Sequence, residues 1–568
     1  MAGRKNRAIA SGRKISIVLK KEAMKFHFSR HRLRKKEKAL ERFFEILPGF
    51  TSWTILIGMA LLSFMKPLTA AVIIIAFDLY WLLRLLYVNI FLACSYGKLA
   101  VEKKTDWMMR ARGIDRLEEY LDEVSSVASK SDFKGTISSR GHRGELRNLQ
   151  NSGKVAPLLD DIHHLVIIPV ASESREIVEP GVESIIRGEF PPERILVIMA
   201  VEDRATEDIK KGIVEIQEKY QDKFLDLQIA IHPTGLSGEA RVKGANATYA
   251  AKQAAEYFRK KNIPFKNVVS SCFDADTVVH PDYFSCLTYH YMVCPERLRA
   301  SFQPIPVYHN NIWKVPGFAR LLDVGSSFFL LMEVTNPEKL VTFSSHSMSF
   351  KALVDVDYWP VDMISDDSAI FWKAFIHFNS DYRVIPMYVT LSMDVTEAAT
   401  WGKTIVNVYK QKRRWAWGVE NFPIVMRAFL KSRDIPFFKK LKYGYKLFDG
   451  HITWTTWPFL LTIISWLPAV FASREFSQSV VYYSAPRITG TIFSLASLGL
   501  INCILLSMLL LPKRKVKHNL IKRVKHAFEW LLIPPIGLFL SALPALDAQT
   551  RLMFAKYMEF WVTTKERK

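Results

Sequence analysis

Apolar runs near both ends of this chain, set against a long polar middle, constrain its fold more than any other feature. A helix needs about 20 apolar residues to cross the hydrocarbon of a bilayer. Residues 50–65 and 68–94 form two apolar runs separated by Lys66-Pro67, and residues 452–471 and 489–511 form two more. Residues 528–546 are also apolar but carry Pro534, Pro535 and Pro544. In lipid such runs must be helical, because every backbone polar group has to be satisfied within the segment. A multi-pass membrane protein with a large water-facing insertion is therefore expected.

Charge orients it. Lys and Arg number 78 against 55 Asp and Glu, a net charge of +23. Much of that excess borders the apolar runs, as at the cytoplasmic ends of membrane helices. Residues 1–49 form a basic arm, too long before the first apolar run to be a cleavable signal. It serves either to touch anionic lipid or simply as a solubilising tail. Residues 513–525 hold seven basic residues and no acid, so this connection is expected inside, and the nearly uncharged 473–486 connection outside. These features suggest a plasma (inner) membrane protein with its polar domain in the cytoplasm. The five cysteines form no CxxC pair, so neither zinc nor a disulfide is expected.

The chain divides into a basic arm (1–49), a transmembrane hairpin (50–95), an amphipathic helix and linker (96–160), an α/β domain (161–420), interfacial helices (421–451), a C-terminal membrane region (452–547) and a tail (548–568). Trp107, Met108, Ile114, Leu117, Leu121 and Val124 give residues 105–128 an apolar stripe, suited to the membrane surface or to the α/β domain. Residues 129–159 are polar, with Gly135, Gly141, Gly144 and Gly153, and are expected to be a loose linker.

In the α/β domain, continuous apolar runs at 165–170, 195–201 and from 268, with a strand at 226–231, alternate with helical segments at 182–188, 206–220 and 243–259. This alternation predicts a mainly parallel sheet. His163-His164 should lie at its surface edge. Ligands of such sheets bind at the carboxyl ends of the strands. Acids stand there: Glu173 after the first strand, Glu202 and Asp203 after the second, Asp274 and Asp276 after the fourth. Asp274-Ala275-Asp276 makes an oxygen-rich corner suited to Mg²⁺ or Mn²⁺ carrying a diphosphate, although such a pair also occurs in ordinary turns.

Ser365-Asp366-Asp367 follows before a helix, and Gln411-Lys412-Arg413-Arg414-Trp415 closes the set. Together, in this order, the motifs resemble those of family 2 glycosyltransferases, in particular the membrane-embedded cellulose synthase-like and hyaluronan synthase-like branch. The resemblance covers about residues 160–420. It implies a GT-A-type domain inserted between membrane helices, in which Glu173 and Asp203 face the nucleoside of a nucleotide-sugar donor. Lys243, Asp274 and Arg414 would contact the donor and its diphosphate, with Asp276 as metal ligand. Asp367 matches the general base, with Asp366 as the alternative, because Ser365-Asp366 replaces the usual Thr-Glu. Gln411 and Trp415 match the acceptor end, and His346 either contacts the acceptor sugar or is a loop histidine. Ala171-Ser172 departs from the aromatic and polar pair usual in the family, and Glu202 replaces a common Asp.

The tail around Lys565 resembles a gating loop that lies over the donor in cellulose synthase-like enzymes. Reaching the donor would require residues 528–546 to enter and leave on the cytoplasmic side. The resemblance implies inverting transfer to a growing glycan coupled to export, or else of a single sugar to a lipid-linked acceptor. The bilayer, and an accessory export subunit where export uses one, would be partners. Nucleic acid is not expected, because acids at the strand ends repel phosphate unless a metal intervenes. A pure transporter would not need this acid-bearing domain.

Overall fold

The computed structural model describes residues 26–30, 33–127, 133–471, 477–512 and 529–559. Eight strands form one mixed sheet. In chain order they are His163–Val170, Ile195–Glu202, Asp226–His232, Val268–Cys272, Val278–Val279, Ala300–Val307, Ser347–Ser349 and Arg383–Ser392, designated β1 to β8. Their order across the sheet is β3-β2-β1-β4-β7-β6-β8-β5. β2 and β4 flank β1, both parallel to it, and β3 extends the parallel set beyond β2. β7 is antiparallel to both β4 and β6, and β8 is parallel to β6. A parallel half joined through a short antiparallel strand to a second half is a GT-A-type arrangement.

The apolar runs form strands because both sheet faces are covered. Every residue of β2 is buried. Helix Lys243–Lys260 presents Ala247, Ala250, Ala251, Ala254 and Ala255, all buried, to the core under β1, β2 and β4. These small side chains let the helix backbone lie close to the sheet. On the other face, helices Arg175–Ile186 and Tyr283–Val293 share a second core with Trp107, Met108, Ile114 and Leu121. The amphipathic stretch therefore packs on the α/β domain, as two helices, Trp107–Ile114 and Leu117–Val127.

Several expectations are corrected. The first helix after β1 is Arg175–Ile186, not 182–188. Pro180-Gly181 looks like a break, but a Cβ at Gly181 would lie 2.6 Å from the Thr277 carbonyl oxygen, so the glycine permits close contact with the Asp274–Thr277 turn. The supposed linker contains a helix, Phe133–Asn151. His142, Leu146 and Leu149 recur at helical spacing and are buried, outweighing the glycines. His164 is also fully buried, its Nε2 2.8 Å from Thr288 Oγ1.

Among the described residues, four helices are long and apolar enough to cross a membrane: Lys35–Met65, Pro67–Glu102, Val480–Leu506 and Glu529–Met553. The expected span at 452–471 is not among them. Its first part ends helix Phe437–Thr462, and the rest is a 3₁₀ turn and the short helix Leu467–Val470. Nor do the prolines break the last run. Pro534, Pro535 and Pro544 occupy starts of helical segments, where a missing N–H is tolerated, and a π turn at Leu538–Ala542 joins the segments. Both parts of this run meet helices attached to the sheet, through Glu529 with Arg320 at 3.2 Å and Asp547 with Arg413 at 2.8 Å.

Candidate active site

β1, β2 and β4 are parallel, so their carboxyl ends open on one side, and the acids of the first half stand there. Glu173 Oε2 accepts the backbone N–H groups of Ala171 and Ser172 at 2.8 and 2.9 Å. Asp203 is exposed beyond β2, its N–H bonded to the His232 carbonyl at 3.0 Å. Glu202 pairs with Arg204.

The charged cluster that follows β4 centres on Lys243, the first residue of its helix. Its ammonium lies 2.7 Å from Asp274 Oδ1 and 3.1 Å from Asp367 Oδ1. Burial opposes its charge, but Asp274 and then Asp367 hold its pKa well above the usual lysine range. The backbone can enter this corner because residue 244 is glycine: a Cβ there would sit 2.4 Å from the Pro360 carbonyl oxygen and 3.0 Å from Asp366 Cβ. The Ser344 hydroxyl donates to Asp274 Oδ2, and Ser345 Oγ accepts the Asp274 N–H at 3.2 Å.

Asp366 and Asp367 begin helix Asp366–His377 but stand in different surroundings. The Asp367 side chain is 25% exposed and faces Lys243. Asp366 is only 3% exposed, and its Oδ2 has no hydrogen-bond partner. Burial, followed by the charge of Asp367, raises the Asp366 pKa far above the carboxylate range; Lys243 and Arg414 oppose this only partly. Asp366 is thus favoured to be uncharged at neutral pH.

Asp276 is 1% exposed. Its Oδ2 accepts the Asp394 N–H at 2.7 Å, and its carbonyl accepts Asn310 Nδ2 at 2.9 Å. Among the described residues, no group of three or more His, Cys, Asp or Glu side chains is arranged to hold a metal ion. Two carboxylates one residue apart suit a cation that brings phosphate oxygens and water as its other ligands, as Mg²⁺ usually does. The donor set therefore fits a cation carried by a diphosphate better than a metal cage made by the protein alone.

Helix Trp401–Ala416 carries the closing motif. Gln411 is buried with its Oε1 unpartnered. Arg414 is half-buried and belongs to the same electrostatic neighbourhood, since its charge acts on both Asp366 and Tyr308. The ring of Trp415 lies 6.1 Å from that of Tyr308, and the Lys412 ammonium sits 3.6 Å above it. Lys412 is held in turn by buried Asp323 at 2.7 Å. His346 is 1% exposed, with Nδ1 2.9 Å from the Phe343 carbonyl oxygen. Burial lowers its pKa, so it is a neutral loop histidine under the cluster with no exposed face for a sugar. Lys565 lies outside the described residues.

Sequence reasoning missed Tyr308, Asp323 and Asp394. Only Asp394, an acid just past a strand end, had a local signal. The rest reach the site through folding of distant segments.

A GT-A-type sheet with a charged cluster beyond its parallel strands is an arrangement suited to a glycosyltransferase. Residues 271–511 match the family model described as glycosyl transferase family group 2. Poly-beta-1,6-N-acetyl-D-glucosamine synthase of Staphylococcus epidermidis is 24% identical over 327 residues, covering 55% of this chain and 68% of that protein. The protein of the same name from Staphylococcus aureus (strain COL) is 23% identical over 289 residues, covering 49% and 60%. Among solved structures, the mannosyltransferase PcManGT from Pyrobaculum calidifontis in complex with GDP-Man and Mn²⁺ has a TM-score of 0.37 at 13% identity, over 76% of this chain and 100% of that one. S. aureus TarS 1-349 in complex with UDP has a TM-score of 0.34 at 12% identity, over 59% and 90%. Residues 271–511 thus match a family 2 glycosyltransferase domain, and the chain is similar to polysaccharide synthases.

Proposed function

We propose that this enzyme moves a sugar from a nucleotide-sugar donor onto a growing glycan, with inversion at the sugar carbon, on the cytoplasmic face of the membrane, and that synthesis is coupled to export. The observation that carries this reading is the lysine bridge between Asp274 and Asp367. It joins a donor-side carboxylate to one at the start of the Asp366–His377 helix, so leaving group and acceptor would meet at one charged point.

In this reading Asp367 accepts the proton of the acceptor hydroxyl as it attacks the sugar. An alcohol ionises far above neutral pH, so a carboxylate must take the proton in the transition state. Asp366 does not serve, because burial favours its neutral form. Lys243 and Arg414 stabilise the nucleoside diphosphate as it leaves. Mg²⁺ or Mn²⁺, held by Asp276 and Asp274, would supply further positive charge to that leaving group. Glu173 and Asp203 line the nucleoside end, and Gln411 and Trp415 the acceptor end. A tryptophan ring offers a flat apolar surface on which a sugar can pack.

A second reading, transfer of one sugar to a lipid-linked acceptor, is favoured by one feature. An apolar groove of about 580 Å³ runs between membrane helices, lined by Trp53, Leu56, Phe64, Phe459, Leu467 and Leu543 among others, and could house a lipid chain. A screen of nucleotide-sugars with purified protein and Mg²⁺ or Mn²⁺ separates the readings. UDP-GlcNAc comes first, because the curated relatives are named for a polymer of N-acetylglucosamine. Released nucleoside diphosphate with a ladder of product masses supports the polymer reading, and a single added sugar on lipid supports the second. Release of nucleoside diphosphate from no donor would contradict both.

A further inference from the structure

The turn bearing Asp366 and Asp367 is held from far away in the chain. Ser365 is the N-cap of the helix, yet its side chain makes no capping bond to that helix. An N-cap serine ordinarily accepts an N–H from the first turn. Here its hydroxyl donates instead to Glu420 Oε1 at 2.8 Å and accepts Asn421 Nδ2 at 3.1 Å. The same Glu420 oxygen accepts the backbone N–H groups of Ile364 at 3.0 Å and Ser365 at 2.9 Å. The other, Oε2, accepts Trp417 Nε1 at 2.9 Å and the guanidinium of Arg30.

Glu420 is completely buried. A carboxylate so enclosed stays charged only if it is paired and fully hydrogen-bonded. Arg30 is its only ion-pair partner among the described residues. Without that arginine the buried carboxylate would lose its ion pair, and the turn it anchors would be held less firmly. Arg30 belongs to the segment 26–30 of the amino-terminal arm, which is itself fixed at this corner. Ser29 Oγ donates to Asp362 at 2.6 Å, and the Ser29 carbonyl accepts Arg427 at 2.8 Å. Arg427 is tied to buried Glu41 at 2.7 Å.

We infer that Glu420, held in place by its ion pair with Arg30, is a positioning residue that fixes the Ser365 turn and so aims Asp367, making residues 26–30 of the arm part of the working site. This inference rests on the reading of Asp367 as the base. Asp367 lies two residues past the anchored serine, so slack in the turn moves its carboxylate directly. A misplacement of about 1 Å in a reacting group costs on the order of 10²-fold in rate.

The test uses the full chain, purified in detergent, with Mn²⁺ and the donor selected by the screen, UDP-GlcNAc in the first instance. Arg30→Ala and Glu420→Gln should lower kcat by about 10- to 100-fold, with donor KM and melting temperature near those of the parent. Arg30→Lys should recover most of the rate, because a lysine can still pair with Glu420. Arg34→Ala, at the exposed start of the first membrane helix, should leave activity unchanged. An unaltered kcat in Arg30→Ala would overturn the inference. So would a loss of rate matched by a rise in donor KM and a drop in melting temperature, which marks general packing. Full activity in Asp367→Asn would instead remove the base reading on which the inference stands.

Discussion

The two halves of the sheet hold their charged groups in different ways. In the half formed by β3, β2, β1 and β4, the acids sit in short strand-end loops. Glu173 is held by N–H groups one and two residues away, and Asp203 by the end of the neighbouring strand. In the half beyond β7, nothing of that kind is local. Asp367 sits on a turn anchored by Glu420, which is paired with Arg30 across 390 residues of chain. Trp415 lies under Lys412, whose partner Asp323 is 89 residues away. In the proposed reading the first half serves the donor and the second the acceptor. Glu173 and Asp203 are set by nearby backbone, whereas Asp274 and Asp276 also draw on distant segments through Ser344 and Asp394. The proposed acceptor half is complete only when the segment 26–30 and the helix bearing Asp323 are seated against it.

That contrast can be broken experimentally. The largest effect should come from the donor half. Chelation should abolish turnover, and Asp276→Asn should weaken donor binding measured by calorimetry, because two acids and a diphosphate repel one another without a cation. Full turnover in excess chelator would break the account of this half.

A smaller effect should separate the two halves. Trp415→Ala should raise acceptor KM by about tenfold, equivalent to ~1.4 kcal/mol of lost contact, and shorten the product, while donor affinity stays the same. Asp323→Asn should do the same more weakly, by loosening Lys412 over the ring. Equal losses for donor and acceptor would show that the halves are not separable.

The smallest effect concerns stability, common to both halves. Burial holds the pKa of His142, His164 and His290 at about 3. Unfolding returns them to an ordinary value of about 6.5. The unfolded chain then binds more protons, so their contribution is complete above pH 6.5 and is lost as the pH falls below it towards 3. Melting temperature should fall between pH 7 and 5, and less steeply in His164→Asn. A flat profile would mean these rings are charged when folded.

The same contrast explains what was legible in the sequence. Ile195–Glu202 reads as a strand because its run is apolar throughout, and Asp274 and Asp276 read as a site because they end another strand. Helix Lys243–Lys260 announces itself through alanines at helical spacing. The helix at Phe133–Asn151 stayed hidden, because three glycines masked the spacing of His142, Leu146 and Leu149. His164 looked like an edge residue because its partners, Phe190, Phe284 and Thr288, come from later elements. Motif order put Asp367 forward as the base with Asp366 as the alternative, but gave no physical ground for the choice. Their separation depends on burial and on Lys243, and neither is visible in three consecutive letters.

That separation is also the most direct test of the account. The rate of the transfer step should be measured at saturating donor and acceptor in Asp367→Asn and Asp366→Asn side by side. Asp367→Asn should lose ~10²–10⁴ in rate while still binding donor. Asp366→Asn replaces a group already favoured to be neutral and should stay within about tenfold of the parent. A more damaging Asp366→Asn, or an active Asp367→Asn, would contradict the assignment of the base and with it the role of the lysine bridge.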